Sequence, residues 1–251
     1  MNGDYILETQ GLSKQFRGFH AVRDVSLRVK RHSIHALIGP NGAGKTTCFN
    51  LLTTFLSPSA GRIVFNGRDI TRSDPASVAA SGLVRSFQIS AVFGQMNVLD
   101  NVRVALQRKS GGSFAFWRSD RVLERHDARA QELLAAVGLE PYLGHIAADL
   151  PYGRKRALEL ATTLALDPEL ILLDEPIAGL GHEDIAPVTR LIAEVARERT
   201  VLMVEHNMKV VAELCDRITV LQAGEILAEG NYDEVSRDPR VIDAYVGGAH
   251  D

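Results

Sequence analysis

The sequence predicts an α/β fold: a mainly parallel sheet with flanking helices, preceded by an antiparallel β region and interrupted by an inserted α-helical lobe. Three observations carry that expectation. A strand, a glycine-rich turn and a helix follow one another around residue 40. Apolar runs at 34–38, 170–173 and 200–204 have the length of buried parallel strands. Between residues 89 and 166 strand signals vanish and helical patterns dominate.

The chain has 251 residues, 45 % hydrophobic and 24 % charged, ample for one large α/β domain or a domain with a smaller lobe. Lys and Arg total 28 against 31 Asp and Glu, a formal net charge of −3. Nucleic-acid binders show a strongly basic balance, so no nucleic-acid partner is expected. No apolar run approaches the about 18 residues of a spanning helix. Residues 1–5 have neither the charged nor the apolar region of a signal peptide. Cys48 and Cys215 fall inside predicted helices and are expected to be small packing residues in a reducing compartment. The expectation is a cytoplasmic chain that something else must hold at any membrane.

Taken in order, alternation predicts strands at 6–9 and 21–29, the second with Val25, Leu27 and Val29 on one face. Phe16, in the loop between them, is expected in the core, with stacking on a flat ligand ring as the other reading. The run 34–38 is a strand. After the glycine-rich turn, Cys48, Leu51, Leu52 and Phe55 recur at helical spacing. Residues 61–67 give a short strand and an Asn-Gly turn, 75–80 a short helix, and 83–88 a strand ending on Gln88. Helices follow at 98–106, 121–137 and 153–166, with the glycine-rich loop of Phe114, Phe116 and Trp117 between the first two. The α/β pattern resumes with strand 170–173, helix 184–197, strand 200–204 and a helix through Val210, Val211 and Leu214. Strands 218–221 and 225–228 around an Ala223-Gly224 turn and a helix at 239–246 close the chain. The predicted layout is a single domain over 5–248, with 5–88 and 167–248 as its core and 89–166 as the helical insertion.

The glycine-rich turn is Gly39, Pro40, Asn41, Gly42, Ala43, Gly44, Lys45, Thr46 and Thr47. This is the G-x-x-x-x-G-K-[ST] pattern of a phosphate loop, in the strand–turn–helix context the pattern requires. Chance produces it in about 1 % of chains of this length. Glycines let successive backbone N–H groups face a phosphate, and the helix adds its positive dipole end. Lys45 would reach the β- and γ-phosphates and the Thr46 hydroxyl would sit on Mg²⁺. Asp174 and Glu175 end an apolar strand beside this loop, so one can face the metal shell while the other orients or deprotonates water. His206 ends the next strand in the same way and could bond the γ-phosphate and the attacking water. Gln88, also at a strand end, is a candidate for the Mg²⁺ shell or for sensing the γ-phosphate.

The ordered set of the phosphate loop, Gln88, the run Leu150, Pro151, Tyr152, Gly153 and Arg154 before a helix, residues 170–176, and His206 resembles the nucleotide-binding domain of ABC transporters, with a P-loop NTPase core. Within that family the resemblance is to the longer ATPase subunit of branched-chain amino acid importers, carried by residues 37–50, 84–88, 204–208 and 238–245. It implies an ATP hydrolase using ATP with Mg²⁺. Phe16 would stack on adenine, reversing the core expectation, and Lys45 would hold the phosphates. Thr46 and Gln88 would ligate Mg²⁺, with Asp174 acting on its shell. Glu175 would be the general base and His206 the γ-phosphate contact. Residues 150–154 would be the signature loop, which binds ATP across a head-to-tail dimer with a second ATPase subunit. Gln88 and the helical lobe would face membrane-spanning permease subunits on the cytoplasmic side, serving indirectly a solute-binding protein.

The usual signature loop is Leu-Ser-Gly-Gly-Gln, and here Pro151, Tyr152 and Arg154 replace the Ser, the first Gly and the Gln. Pro151 has no N–H or hydroxyl to offer a phosphate. Gly181 stands where Asp or Asn is common, and Ile177 where Thr is common. The run Arg154, Lys155 and Arg156 is expected as a solvated helix face, with a phosphate contact as the other reading. Two further functions share these residues: a soluble ABC ATPase remodelling a cytosolic assembly, as in iron–sulfur cluster biogenesis, and the ATPase of an exporter. The cargo is not encoded in an ATPase subunit, because substrate contacts lie on other chains.

Overall fold

The computed structural model describes residues 4–86, 92–109 and 125–247. Its N-terminal sheet begins with β1 (Tyr5–Phe16), β2 (Phe19–Val25) and β3 (Arg28–Lys30). The first strand is longer than the sequence predicts, because it bends instead of stopping. Gly11 has φ +60°, and β1 shifts register near it against both its neighbours. The predicted strand 21–29 splits in two, since β2 pairs with the end of β1 and β3 with its beginning. Thr9 spans the break: its hydroxyl donates to the Val25 carbonyl and accepts from the Leu27 N–H, both at 2.8 Å. The alternation survives, with Val25, Leu27 and Val29 buried. Phe16 lies at the end of β1, not in a loop, and is 45 % exposed. The core expectation for it fails because the hairpin tip, turning through Arg17 and Gly18 at positive φ, projects beyond the sheet.

The run β4 (Ile34–Ile38) is buried along its whole length and leads through the glycine-rich turn into α1 (Lys45–Leu52). That helix stops three residues before Phe55: Thr54 turns left-handed at φ +57°, leaving Phe55 outside the helix and exposed. Strands β5 (Ala60–Phe65) and β6 (Arg68–Asp69) join through Asn66-Gly67, both at positive φ as an Asn-Gly hairpin requires. Then come α2 (Pro75–Ala80), capped by the Asp74 carboxylate, and β7 (Leu83–Ser86).

Among the described residues three α-helices follow: α3 (Val98–Lys109), α4 (Asp127–Ala136) and α5 (Tyr152–Leu164). They enclose a hydrophobic cluster that includes Val98, Val102, Leu134 and Leu158, and Arg103 ties α3 to Asp127 of α4 at 2.7 Å. The chain returns through β8 (Leu170–Asp174), α6 (His182–Ala196), β9 (Thr200–Val204), α7 (Met208–Leu214), β10 (Arg217–Gln222), β11 (Glu225–Gly230), α8 (Tyr232–Ser236) and α9 (Pro239–Gly247). The sequence reading missed α8, a five-residue helix closed by a capping box between Asn231 and Glu234.

The central sheet has the order β11-β10-β4-β9-β8-β7, parallel except at β11. Period-two alternation sends Leu37, Leu172, Leu202 and Leu221 to one face. There α1 is wedged against the N-terminal sheet, with Cys48, Phe49, Leu51 and Leu52 buried. Ile38, Ile171, Met203 and Val220 go to the other face, under α6, α7, α8 and α9. Cys215 sits just after α7 instead of inside it, and burial pushes both thiols up to about 12, as packing residues behave. This layering puts the carboxyl ends of β4, β8 and β9 at one edge, where ligands bind in open α/β sheets.

Candidate functional site

The glycine-rich turn is gripped from two sides by backbone. A Cβ on Gly39, at φ +149°, would stand 2.1 Å from the Leu221 carbonyl oxygen; one on Gly44, at φ +101°, would stand 2.4 Å from that of Ala21. Only glycine passes between β10 and β2 at these points. Asn41, Gly42 and Thr46 face solvent, and Ala43 is buried. No side chain caps the first turn of α1. The Lys45 ammonium donates to the carbonyls of Gly39 at 2.7 Å and Pro40 at 2.9 Å. Burial lowers its pKa, and the charges of Glu175 and Asp174 oppose that shift. A cation thus lies folded onto a glycine-rich turn that opens a helix, which is the chemistry that holds a polyphosphate.

At the end of β8, Asp174 is buried and paired with Arg85 of β7. Glu175 turns left-handed at φ +49°, a conformation that is strained for a residue with a Cβ. The turn swings its carboxylate toward the end of β9, where Oε1 lies 2.9 Å from His206 Nε2. Glu205, the residue before this histidine, is buried, and its carboxylate accepts from the N–H groups of Ile177, His206 and Asn207 at 3.2, 2.9 and 3.1 Å. Two strand-end loops are thereby stapled by one side chain. Lys45, Asp174, Glu175 and His206, named separately from the sequence, occupy one corner of the sheet. Gln88 lies outside the described residues, as do Phe114, Phe116 and Trp117.

Phe16 stands at the tip of the β1–β2 hairpin with the Lys14 ammonium 5.2 Å from its ring centroid. Close to that tip, Ala21 of β2 brings its carbonyl against Gly44 of the phosphate loop. An exposed ring on an element anchored to the loop fits stacking on a base. The residues expected at the metal are Thr46, exposed at the start of α1, and Asp174, buried at the end of β8. Both offer oxygen, the donor a hard cation such as Mg²⁺ takes, and among the described residues no group of three or more His, Cys, Asp and Glu could hold an ion.

Residues 150–154 open α5. Leu150 and Gly153 are buried, while Pro151, Tyr152 and Arg154 are exposed. A Cβ on Gly153 would stand 2.5 Å from the Asp184 carboxyl group. The Tyr152 hydroxyl donates to the Ala178 carbonyl at 3.3 Å and accepts from Arg156 at 3.0 Å. Arg154 donates to the Gly138 carbonyl and lies 5.4 Å from the Tyr142 ring. The expectation of a solvated face fails for Arg156, which pairs with Glu159 at 2.8 Å with both side chains nearly buried. None of the hydrogen bonds of residues 150–154, among those described, reaches residues 39–47.

Sequence reasoning assigned no role to Arg85 or Glu205. A cation in a strand next to the acidic strand end, and a carboxylate just before the strand-end histidine, were the available signals.

Residues 22–178 match the family described as ABC transporter, and residues 225–251 match the one described as branched-chain amino acid ATP-binding cassette transporter. The chain is 38 % identical to the high-affinity branched-chain amino acid transport ATP-binding protein BraF of Pseudomonas aeruginosa, over 97 % of this chain and 98 % of that one. It is 37 % identical to LivG of Escherichia coli K12, described in the same words, over the same shares. Its fold superposes with TM-score 0.84 on the ADP conformation of an ATP-binding cassette of an ABC transporter, at 30 % identity, covering 97 % of this chain and 99 % of the other.

Proposed function

This chain belongs to the ABC transporter family, and from that premise we propose that it is the ATP-hydrolysing motor subunit of an importer of branched-chain or related amino acids. The observation that carries the proposal is the 2.9 Å contact between Glu175 and His206 at the strand ends beside the phosphate loop. Water attacks the γ-phosphorus as the bond to the β,γ-bridging oxygen breaks. Its proton passes to the Glu175 carboxylate, and ADP and phosphate leave. His206, hydrogen-bonded to Glu175, keeps that carboxylate aimed and offers its ring to the γ-phosphate. Lys45 exchanges its loop carbonyls for phosphate oxygens. Thr46, Asp174 and Gln88 are the residues assigned to Mg²⁺, which when bound neutralises charge on the β- and γ-phosphates.

Residues 5–248 form one nucleotide-binding domain in this reading, with residues 89–166 as its helical subdomain. Residues 150–154 serve the ATP of a second ATPase subunit, which fits their outward placement. Among the described residues no helix is long and apolar enough to cross a membrane. A groove of 890 Å³ between β7, α2 and the helical cluster, which exposes Phe55 and Phe93, is the face for permease subunits. Those subunits hold the chain on the cytoplasmic side, and a solute-binding protein acts on them from outside.

Glu175→Gln is expected to lower steady-state ATP hydrolysis about 100-fold or more while ATP binding and dimerisation persist; unchanged hydrolysis would sink the assignment. Co-purification from detergent-solubilised membranes tests the transporter role, and a chain found only in soluble complexes overturns it. Phe93→Glu should abolish that co-purification while leaving ATP binding by the isolated chain intact.

A further inference from the structure

Arg85 is the feature of the site that the proposed function leaves without a role. Its side chain is 9 % exposed and that of Asp174 is 3 % exposed. One terminal nitrogen of the guanidinium donates to Asp174 Oδ2, and the other donates to Asn50 Oδ1 of α1 at 2.6 Å. The plane lies 5.7 Å from the ring centroid of Phe49, also on α1. Nε is buried and has no partner among the described residues, so the two terminal nitrogens carry the contacts. The fork therefore fixes a carboxylate at the end of β8 relative to the helix that begins with Lys45 and Thr46. Arg85 also borders the groove between β7 and the helical cluster.

Two physical points follow. A buried carboxylate without a partner turns toward water, which removes it from the site. A single donor would pair it but would leave it free to swing. Only a planar fork anchored at both ends specifies where the remaining oxygen points.

We propose that Arg85 is a positioning residue that holds Asp174 in register with α1, so that the carboxylate meets the metal–nucleotide complex in one geometry. This rests on the proposed ATPase function and deepens it. Arg85 touches neither nucleotide nor metal, and acts through Asp174.

The test reads binding as well as turnover. Affinity for a fluorescent ATP analogue is measured on the full chain in Mg²⁺ and in EDTA, and the ratio of the two gives the metal-dependent part. In Arg85→Gln that ratio is expected to fall about tenfold, the size typical of losing a side chain that orients a metal ligand. Affinity in EDTA stays within about twofold, because the contacts of Lys45 and the loop remain. Arg85→Lys, which keeps a cation but cannot span Asp174 and Asn50, falls between the two. Asn50→Ala, which leaves the ion pair and removes only the anchor, shifts the ratio in the same direction and keeps the test open if Arg85→Gln does not fold. An unchanged ratio in the folded variants overturns the proposal. So does an equal loss of affinity with and without Mg²⁺, which marks a purely structural arginine. Glu175→Gln separates the two readings: continued hydrolysis there defeats the catalytic assignment, whereas the binding ratio still decides the role of Arg85.

Discussion

The loop of residues 39–47 is enclosed by its own chain, whereas the loop of residues 150–154 faces outward from it. Carbonyls from β2 and β10 press on the first at Gly39 and Gly44, and its lysine is folded back onto it. The second exposes Pro151, Tyr152 and Arg154, and the side chains of the last two bond to groups of their own chain: the Ala178 and Gly138 carbonyls at 3.3 Å and the Arg156 guanidinium at 3.0 Å. A segment that must present backbone N–H groups to a charged ligand needs rigid walls, since pre-organisation lowers the ordering cost of binding. A segment that completes a site on another chain has to stay open until that chain arrives. On the proposed function, the enclosed loop holds this chain's own nucleotide and the outward one serves the nucleotide of a second subunit.

The sharpest way to break the contrast is to widen the enclosed loop. Gly39→Ala forces a Cβ to 2.1 Å from the Leu221 oxygen at a φ unsuited to alanine. We expect nucleotide binding to be abolished, with a loss of stability of about 2–3 kcal/mol in a denaturant titration. Binding that survives would show that the backbone walls are not what shape the loop.

Glu205→Gln comes next. One carboxylate accepts three backbone N–H groups there, and an amide cannot accept all three. The expected loss is about 2 kcal/mol, with a fall in hydrolysis larger than any fall in ATP affinity, because His206 and Glu175 lose their shared support.

An effect set by pH probes the sheet that carries the phosphate loop. His35 of β4 is buried against the Thr219 hydroxyl at 2.8 Å. Burial first, and the nearby charge of Arg217 second, lower its pKa to about 3. A ring that stays neutral when folded but takes a proton when unfolded stabilises the fold fully above the unfolded pKa. That stability is lost as pH falls from about 6.5 toward 3, at about 1.4 kcal/mol per unit of pH for this group. His35→Gln should flatten the pH dependence of global unfolding between about pH 6 and 4. An unchanged slope would show that His35 does not set it.

Tyr152→Phe is the mildest probe. Losing two exposed bonds through the hydroxyl should change stability by less than about 0.5 kcal/mol. If residues 150–154 act on a partner, ATP-driven dimerisation should weaken measurably while monomer binding of ATP stays the same. The opposite pattern would place the loop's role within its own chain.

Local signals made most of the frame legible. The all-apolar stretch 34–38, the short helix opened by Pro75 and the Asn-Gly turn at 66–67 each report a backbone state set by neighbouring residues. The elements misread were those decided at a distance. β1 runs on through Gly11 because two different strands pair with it, and 21–29 breaks because its two halves pair with opposite ends of β1. Phe55 has helical spacing in the sequence yet lies beyond the left-handed turn at Thr54. Arg156 belongs to a charged run but finds Glu159 in a nearly buried position.

The sequence by itself determined that a phosphate loop lies between a strand and a helix, and that acidic and histidine side chains stand at the ends of parallel strands. Those are matters of spacing and residue type, which the chain carries without folding. Only the tertiary structure decided that Glu175 and His206 meet at 2.9 Å, that Glu205 staples their loops, and that Arg85 reaches across from β7 to Asp174 and Asn50. These partners lie between 28 and 89 residues apart in the chain, apart from the neighbours Glu205 and His206. No local pattern specifies such pairs, because the order β10-β4-β9-β8-β7 brings them together only after the strands have assembled.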